Sequence, residues 1–190
     1  MKKKDFVLAA SFSLFILAVS ASAQTASFAG TWTLDVSKSK LGDHNMIEAQ
    51  TLTVTQTDKD ITIATATKRL PPPADFPQGG GMGGGRPGGG MGGMMGGQDG
   101  TRTYNLDGKE AKSEVQGPRG SMPVSTKAEL KSGKLHISTT STFNGPMGEV
   151  SITSKEAWEL SADGKTLTIN TDRTTMRGNE TTTKVFAMKQ

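Results

Sequence analysis

The chain has 190 residues, no cysteine, and 22 basic against 18 acidic side chains. Without cysteine there are no disulfides, no lipid-bearing cysteine and no thiol chemistry, so the fold depends on its core alone. A length of this order suits one domain.

Lys2, Lys3 and Lys4 open the chain, an apolar run follows from Phe6 to Val19, and Ala21-Ser22-Ala23 comes next. A positive start, a short apolar stretch and small residues in an A-x-A arrangement form the pattern of a secretory signal, with cleavage expected after Ala23. The run is short for a membrane span of about 20 residues. The expected product is periplasmic or secreted, with no stable membrane anchor once the signal is gone, and a single domain over 24–190. Of the 22 basic residues 3 leave with the signal, and of the 18 acidic residues 1, so the net charge drops from +4 to about +2. The apparent basicity therefore resides largely in the signal. The remaining chain has no basic run, and no nucleic-acid partner is expected.

Beyond the signal, apolar and polar residues alternate. Trp32, Leu34 and Val36 alternate with Thr31, Thr33 and Asp35, Leu52 and Val54 with Thr51, Thr53 and Thr55, and Ile61 and Ile63 with Thr62 and Ala64. Period two is the mark of a strand with one face buried and one wet. Between Lys38 and Ala49 there is room for a helical turn or two at most. Residues 71–100 then break the pattern with Pro71-Pro72-Pro73 and a glycine–methionine tract. Ordering so much glycine is entropically costly, and no apolar periodicity offsets the cost, so a disordered loop within one domain is expected. Alternation resumes at Leu135 and Ile137, Val150 and Ile152, Trp158 and Leu160, and Leu167 and Ile169.

Turn residues punctuate these runs at Asp58-Lys59-Asp60, Asp107-Gly108, Gly117-Pro118-Arg119-Gly120, Ser132-Gly133, Asn144-Gly145-Pro146, Ala162-Asp163-Gly164 and Arg177-Gly178-Asn179. Gly, Asn and Asp accept the positive φ that tight hairpins need. Short connections make sequence neighbours sheet neighbours. The expectation is an all-β, up-and-down antiparallel meander of about 8–10 strands that curls into a barrel and so hides its edges. A membrane barrel would show an apolar outer face with aromatic girdles. Here the outer positions hold Thr, Ser, Lys and Glu, which fits a water-soluble barrel.

Phe28-Ala29-Gly30-Thr31-Trp32-Thr33-Leu34 resembles the opening strand of the calycins, the lipocalins and fatty-acid-binding proteins, with its G-x-W motif. Gly30-Thr31-Trp32-x-Leu34-Asp35 with Lys38-Ser39, and Glu156-Ala157-Trp158-Glu159-Leu160 with Asp163-Gly164-Lys165-Thr166-Leu167-Thr168, are similar to small exported bacterial proteins described as lipocalin-like. The resemblance implies a calycin-like barrel in which Gly30 and Trp32 close one end. It departs at the last strand, where lipocalins have an arginine over the tryptophan and fatty-acid-binding proteins an Arg-x-Tyr pair. Lys184-x-Phe186 keeps that spacing without the guanidinium fork or the phenol. Fatty-acid binding is therefore not carried over.

Strand parity identifies interior polar groups. Glu156 shares a face with Trp158 and Leu160, and Arg173 with Leu167 and Ile169. A hairpin centred near Asp163 brings the two close to opposite, as an interior ion pair that either holds the barrel or anchors a ligand. Tyr104, on a face with Arg102 and Leu106, and Lys184 complete the candidate ligand-binding set. His136 should face solvent and His44 lies in a turn, so no metal spacing appears. Met82, Met91, Met94 and Met95 lack the regular spacing and the histidine of a copper site. No catalytic motif, metal or cofactor is read from the chain. Three functions stay open: a binding module for a small apolar or amphipathic molecule, a ligand-free structural or envelope-associated barrel, and an enzyme using Glu156.

Overall fold

The computed structural model describes residues 26–42, 46–71, 99–117, 120–145, 148–175 and 178–189. The signal-like residues 1–23, His44 and most of the glycine–methionine tract, with its four methionines, lie outside them. Ten strands follow one another: β1 (Gly30–Leu34), β2 (Ile47–Gln56), β3 (Asp60–Arg69), β4 (Gly100–Asn105), β5 (Asp107–Gly117), β6 (Gly120–Lys131), β7 (Lys134–Gly145), β8 (Gly148–Leu160), β9 (Thr166–Thr175) and β10 (Gly178–Met188). They form one antiparallel sheet in the order β4-β3-β2-β1-β10-β9-β8-β7-β6-β5. Each hairpin joins sequence neighbours, and β1 pairs with β10 through Trp32↔Met188 and Leu34↔Phe186. β4 and β5 stand at the two ends of that order and share no ladder, and β4 lies against β6 instead. The result is a nearly closed up-and-down barrel, as the alternation predicts.

β1 is shorter than the alternation suggests. It stops at Leu34, and Val36 enters a 3-10 turn over Val36–Lys38 and is exposed. Asp35 causes the break. Its carboxylate accepts from the Ser37 hydroxyl at 2.6 Å and from the Lys38 amide at 3.3 Å, a local alternative to continuing the strand. At the β6–β7 hairpin, Ser132 (φ 52°) and Gly133 (φ 75°) are both left-handed, which matches the right-handed twist of the flanking strands.

The ladders place the turns at 57–59, 132–133 and 161–165 at one end of the barrel, with Phe28 and Met188. The ladder ends Gly117↔Gly120, Gly145↔Gly148 and Thr175↔Gly178 are at the other. The core fills the first end: Phe28, Trp32, Leu34, Leu52, Val54, Ile61, Ile63, Ala128, Leu135, Ile137, Trp158, Leu167, Ile169 and Phe186 are buried together. Phe28 meets Trp158 edge to face, with centroids 6.2 Å apart, a pairing worth about 0.5–1.5 kcal/mol beyond its buried area. The outer face is threonine-rich, with hydroxyl pairs such as Thr62–Thr103 at 2.8 Å bridging neighbouring strands.

Candidate functional site

Along each strand the inward-facing residues begin apolar and turn polar about halfway. On β9 the row reads Leu167, Ile169, Thr171, Arg173, and on β7 Leu135, Ile137, Thr139, Ser141. On β3 it reads Ile61, Ile63, Thr65, Thr67, and on β10 Phe186 gives way to Lys184 and then Thr182. Ladder register aligns these changes around the barrel. Above the apolar plug sits a chamber of about 90 Å³. Its floor is Leu52, Ile63, Ile137, Trp158, Ile169 and Phe186, and its wall is Gln50, Thr65, Arg102, Tyr104, Glu156, Thr171 and Lys184.

Gln50 organises the wall. It is 2% exposed, its Nε2 donates to Thr67 Oγ1 at 2.9 Å, and its Oε1 accepts from Lys184 Nζ at 3.1 Å. Across the chamber, Trp158 Nε1 donates to Glu156 Oε2 at 2.9 Å, which holds that carboxylate at the level of the floor. No ion pair within 4 Å joins Glu156 to Lys184 among the described residues, but the two charges interact electrostatically. Burial pushes the Lys184 ammonium below its ordinary pKa; Glu156 opposes this and Arg69 adds to it. Burial raises the Tyr104 phenol above its ordinary value. Arg102, which also hydrogen-bonds the phenol, pulls it back, and Glu156 pushes it further up.

The chamber thus gathers three of the residues singled out from sequence, Glu156, Tyr104 and Lys184. Arg173 stands elsewhere. β8 and β9 pair Glu156 with Thr171 and Arg173 with Ser154, a register two residues away from the one that would set Glu156 against Arg173. The expected ion pair between them is absent among the described residues. Arg173 instead faces Glu180 on β10, whose charge partly offsets the burial that lowers the guanidinium pKa.

Comparison with known proteins finds no counterpart. No family model, no curated protein and no solved structure matches this chain.

Gly30 and Trp32 belong to the opposite end. Trp32 is fully buried, and its Nε1 donates to the Phe28 carbonyl at 2.9 Å. Gln56 fixes the same segment, accepting from the Phe28 amide at 2.8 Å and donating to the Ala26 carbonyl at 3.0 Å. Gly30 adopts φ 142°, which L side chains rarely take, and a Cβ there would stand 3.6 Å from the Met188 methyl. Met188, on the last strand, is the residue paired with Trp32; Lys184 lies one level in from Phe186, facing the chamber. His136 is exposed on the outer face.

Sequence reasoning missed Gln50, Thr65 and Thr67. Their signal was available: Gln50 continues the parity of Leu52 and Val54 backwards, and Thr65 and Thr67 continue Ile61 and Ile63 forwards. An alternation read only from its apolar members stops where those members stop.

Proposed function

We propose that this is an exported, lipocalin-like binding module that holds a small amphipathic molecule in the chamber above its apolar plug. The carrying observation is a chamber with an apolar floor and a wall of converging polar groups, the general design of a small-molecule site. Among the described residues Lys184 makes one hydrogen bond, to Gln50, although an ammonium has three donors. Lys184 lines the chamber, so a ligand acceptor there would gain charge-assisted hydrogen bonds in a partly desolvated setting. The chamber is small, about 90 Å³. A drug-sized ligand needs roughly 300 Å³ or more. The ligand is therefore either a compact molecule or one that inserts its smaller end and leaves the rest in the barrel mouth. Export rests on Lys2 to Ala23, and the lipocalin likeness on the Gly30-x-Trp32 opening together with the meander.

A second reading is favoured by the wall itself. Among the described residues, no buried side-chain polar atom lacks a hydrogen-bond partner. A wall in which each buried polar atom already has a partner suits a barrel that binds nothing. Native mass spectrometry of the protein from its own host separates the two. Binding predicts a chain starting at Gln24 with added mass that is released on denaturation, and the added mass should be lost or fall at least tenfold in occupancy in Lys184→Met. A bare polypeptide mass for wild type under gentle conditions overturns the binding reading.

A further inference from the structure

β4 and β5 are the two edge strands of the sheet, and β5 is the longer, eleven residues against six. Among the described residues β5 pairs only with β6. β4, its partner in sequence, lies against β6, and among the described residues the second edge of β5 has no ladder. Every described side chain from Lys109 to Val115 is exposed, and Val115 is one of few exposed large apolar residues. A row of unpaired backbone donors and acceptors of this length is a template for another strand. Of the usual protections β5 has charged side chains, Lys109, Glu110, Lys112 and Glu114, but it contains no proline, and its one register irregularity lies at its start, between Asp107 and Glu110.

The side chains of this edge complement themselves. On the outer face Glu110, Lys112 and Glu114 alternate in sign. Lys112 has no ion-pair or hydrogen-bond partner among the described residues, and Glu114 accepts only from the Ser121 hydroxyl. Ala111, Ser113 and Val115 occupy the other face, opposite Thr126, Val124 and Met122 of β6. An antiparallel copy centred on Ser113 places Lys112 opposite Glu114 of the second chain, and Glu114 opposite its Lys112. The same register sets Ala111 against Val115 twice, covering the exposed valine. A shift that centres Lys112 instead sets lysine on lysine and glutamate on glutamate, so charge selects register as well as partner.

We propose that β5 is a dimerisation edge, joining two copies of this chain about a two-fold axis at Ser113 into one continuous antiparallel sheet. A two-fold contact of this kind is closed and stops at two copies. One added strand is a small contact, which places it among weak, reversible interfaces.

Sedimentation equilibrium of the purified protein, from about 1 µM to about 1 mM, tests the proposal across the range where such a Kd lies. Wild type should show a reversible monomer–dimer equilibrium. Lys112→Glu, which creates two like-charge contacts, should raise Kd at least tenfold. The double exchange Lys112→Glu with Glu114→Lys should restore it to within about threefold, because opposite signs face one another again. Should Lys112→Glu fail to fold by circular dichroism, Glu114→Lys alone carries the same expectation. A monomer throughout, a dimer indifferent to these charges, or open-ended assembly overturns the proposal.

Discussion

Tyr104 is the only tyrosine in the chain, so its ionisation is read directly from tyrosinate absorbance. Desolvation in the chamber wall disfavours the phenolate, and the neighbouring Glu156 adds to that, while Arg102 works against both. The native titration should therefore have its midpoint above 10 and return to the ordinary range in concentrated urea. In linkage terms the raised pKa contributes stability that is complete below 10 and is lost as pH climbs through the native value. Coincident native and urea titrations would remove Tyr104 from the chamber. Glu156 shows how a neighbour decides a residue's role: it is held by Trp158 Nε1 at 2.9 Å and lies across from Lys184, where parity alone had suggested Arg173.

At the scale of elements, the hairpins carry the topology. The β6–β7 turn needs two left-handed residues, and it has one glycine and one serine. Nothing lies within 4 Å of a Cβ built on Gly133, so the effect of a substitution is conformational and not steric. Gly133→Ala should cost about 1 kcal/mol in urea denaturation, the strain of a left-handed L residue. Ser132→Asn should be neutral or stabilise by a few tenths of a kcal/mol, because asparagine tolerates that region. Equal midpoints for wild type and Gly133→Ala would mean that the turn is not under this constraint. The turns at Ser132-Gly133 and Ala162-Asp163-Gly164 were readable beforehand because glycine and aspartate have conformational meaning without any tertiary context, whereas Asp107-Gly108, expected as a turn, lies inside β5, and the expected turns around 118–119, 146–147 and 176–177 lie partly outside the described residues. The end of β1 was not readable, since the alternation gives no sign that Asp35 captures Ser37 and Lys38 and so turns the chain.

At the scale of the whole molecule, the barrel is divided across its axis into an apolar end and a polar end, and Lys184 sits on the boundary. Burial depresses its pKa below 10.5, so the unfolded chain binds the proton more tightly than the folded one. The contribution of this group to stability is present above 10.5 and is lost as pH falls through the native pKa. Between the native pKa and 10.5 stability should therefore rise with pH on account of Lys184, and Lys184→Met should flatten that rise in urea midpoints. Identical pH profiles for the two proteins would show that the ammonium is solvated. The same boundary explains the fold's division of labour: a filled end supplies the core, and the other is free to be wet and polar.

Local chemistry is what the sequence determines by itself. Period-two alternation fixed which face of each strand turns inward, turn residues fixed which strands are neighbours, and together they fixed the meander. The signal-like start likewise needs no fold to be read. Tertiary structure decided everything that depends on register. A two-residue offset between β8 and β9 separates Glu156 from Arg173, although both point inward. The meeting of Gln50 with Lys184, 134 positions apart, exists only because β10 returns beside β1 and completes the wall. The unpaired edge of β5 also belongs to this level, since only closure of the barrel determines which strand is left outside it. Faces follow from bond geometry within one strand, whereas sites and edges follow from how separate strands align.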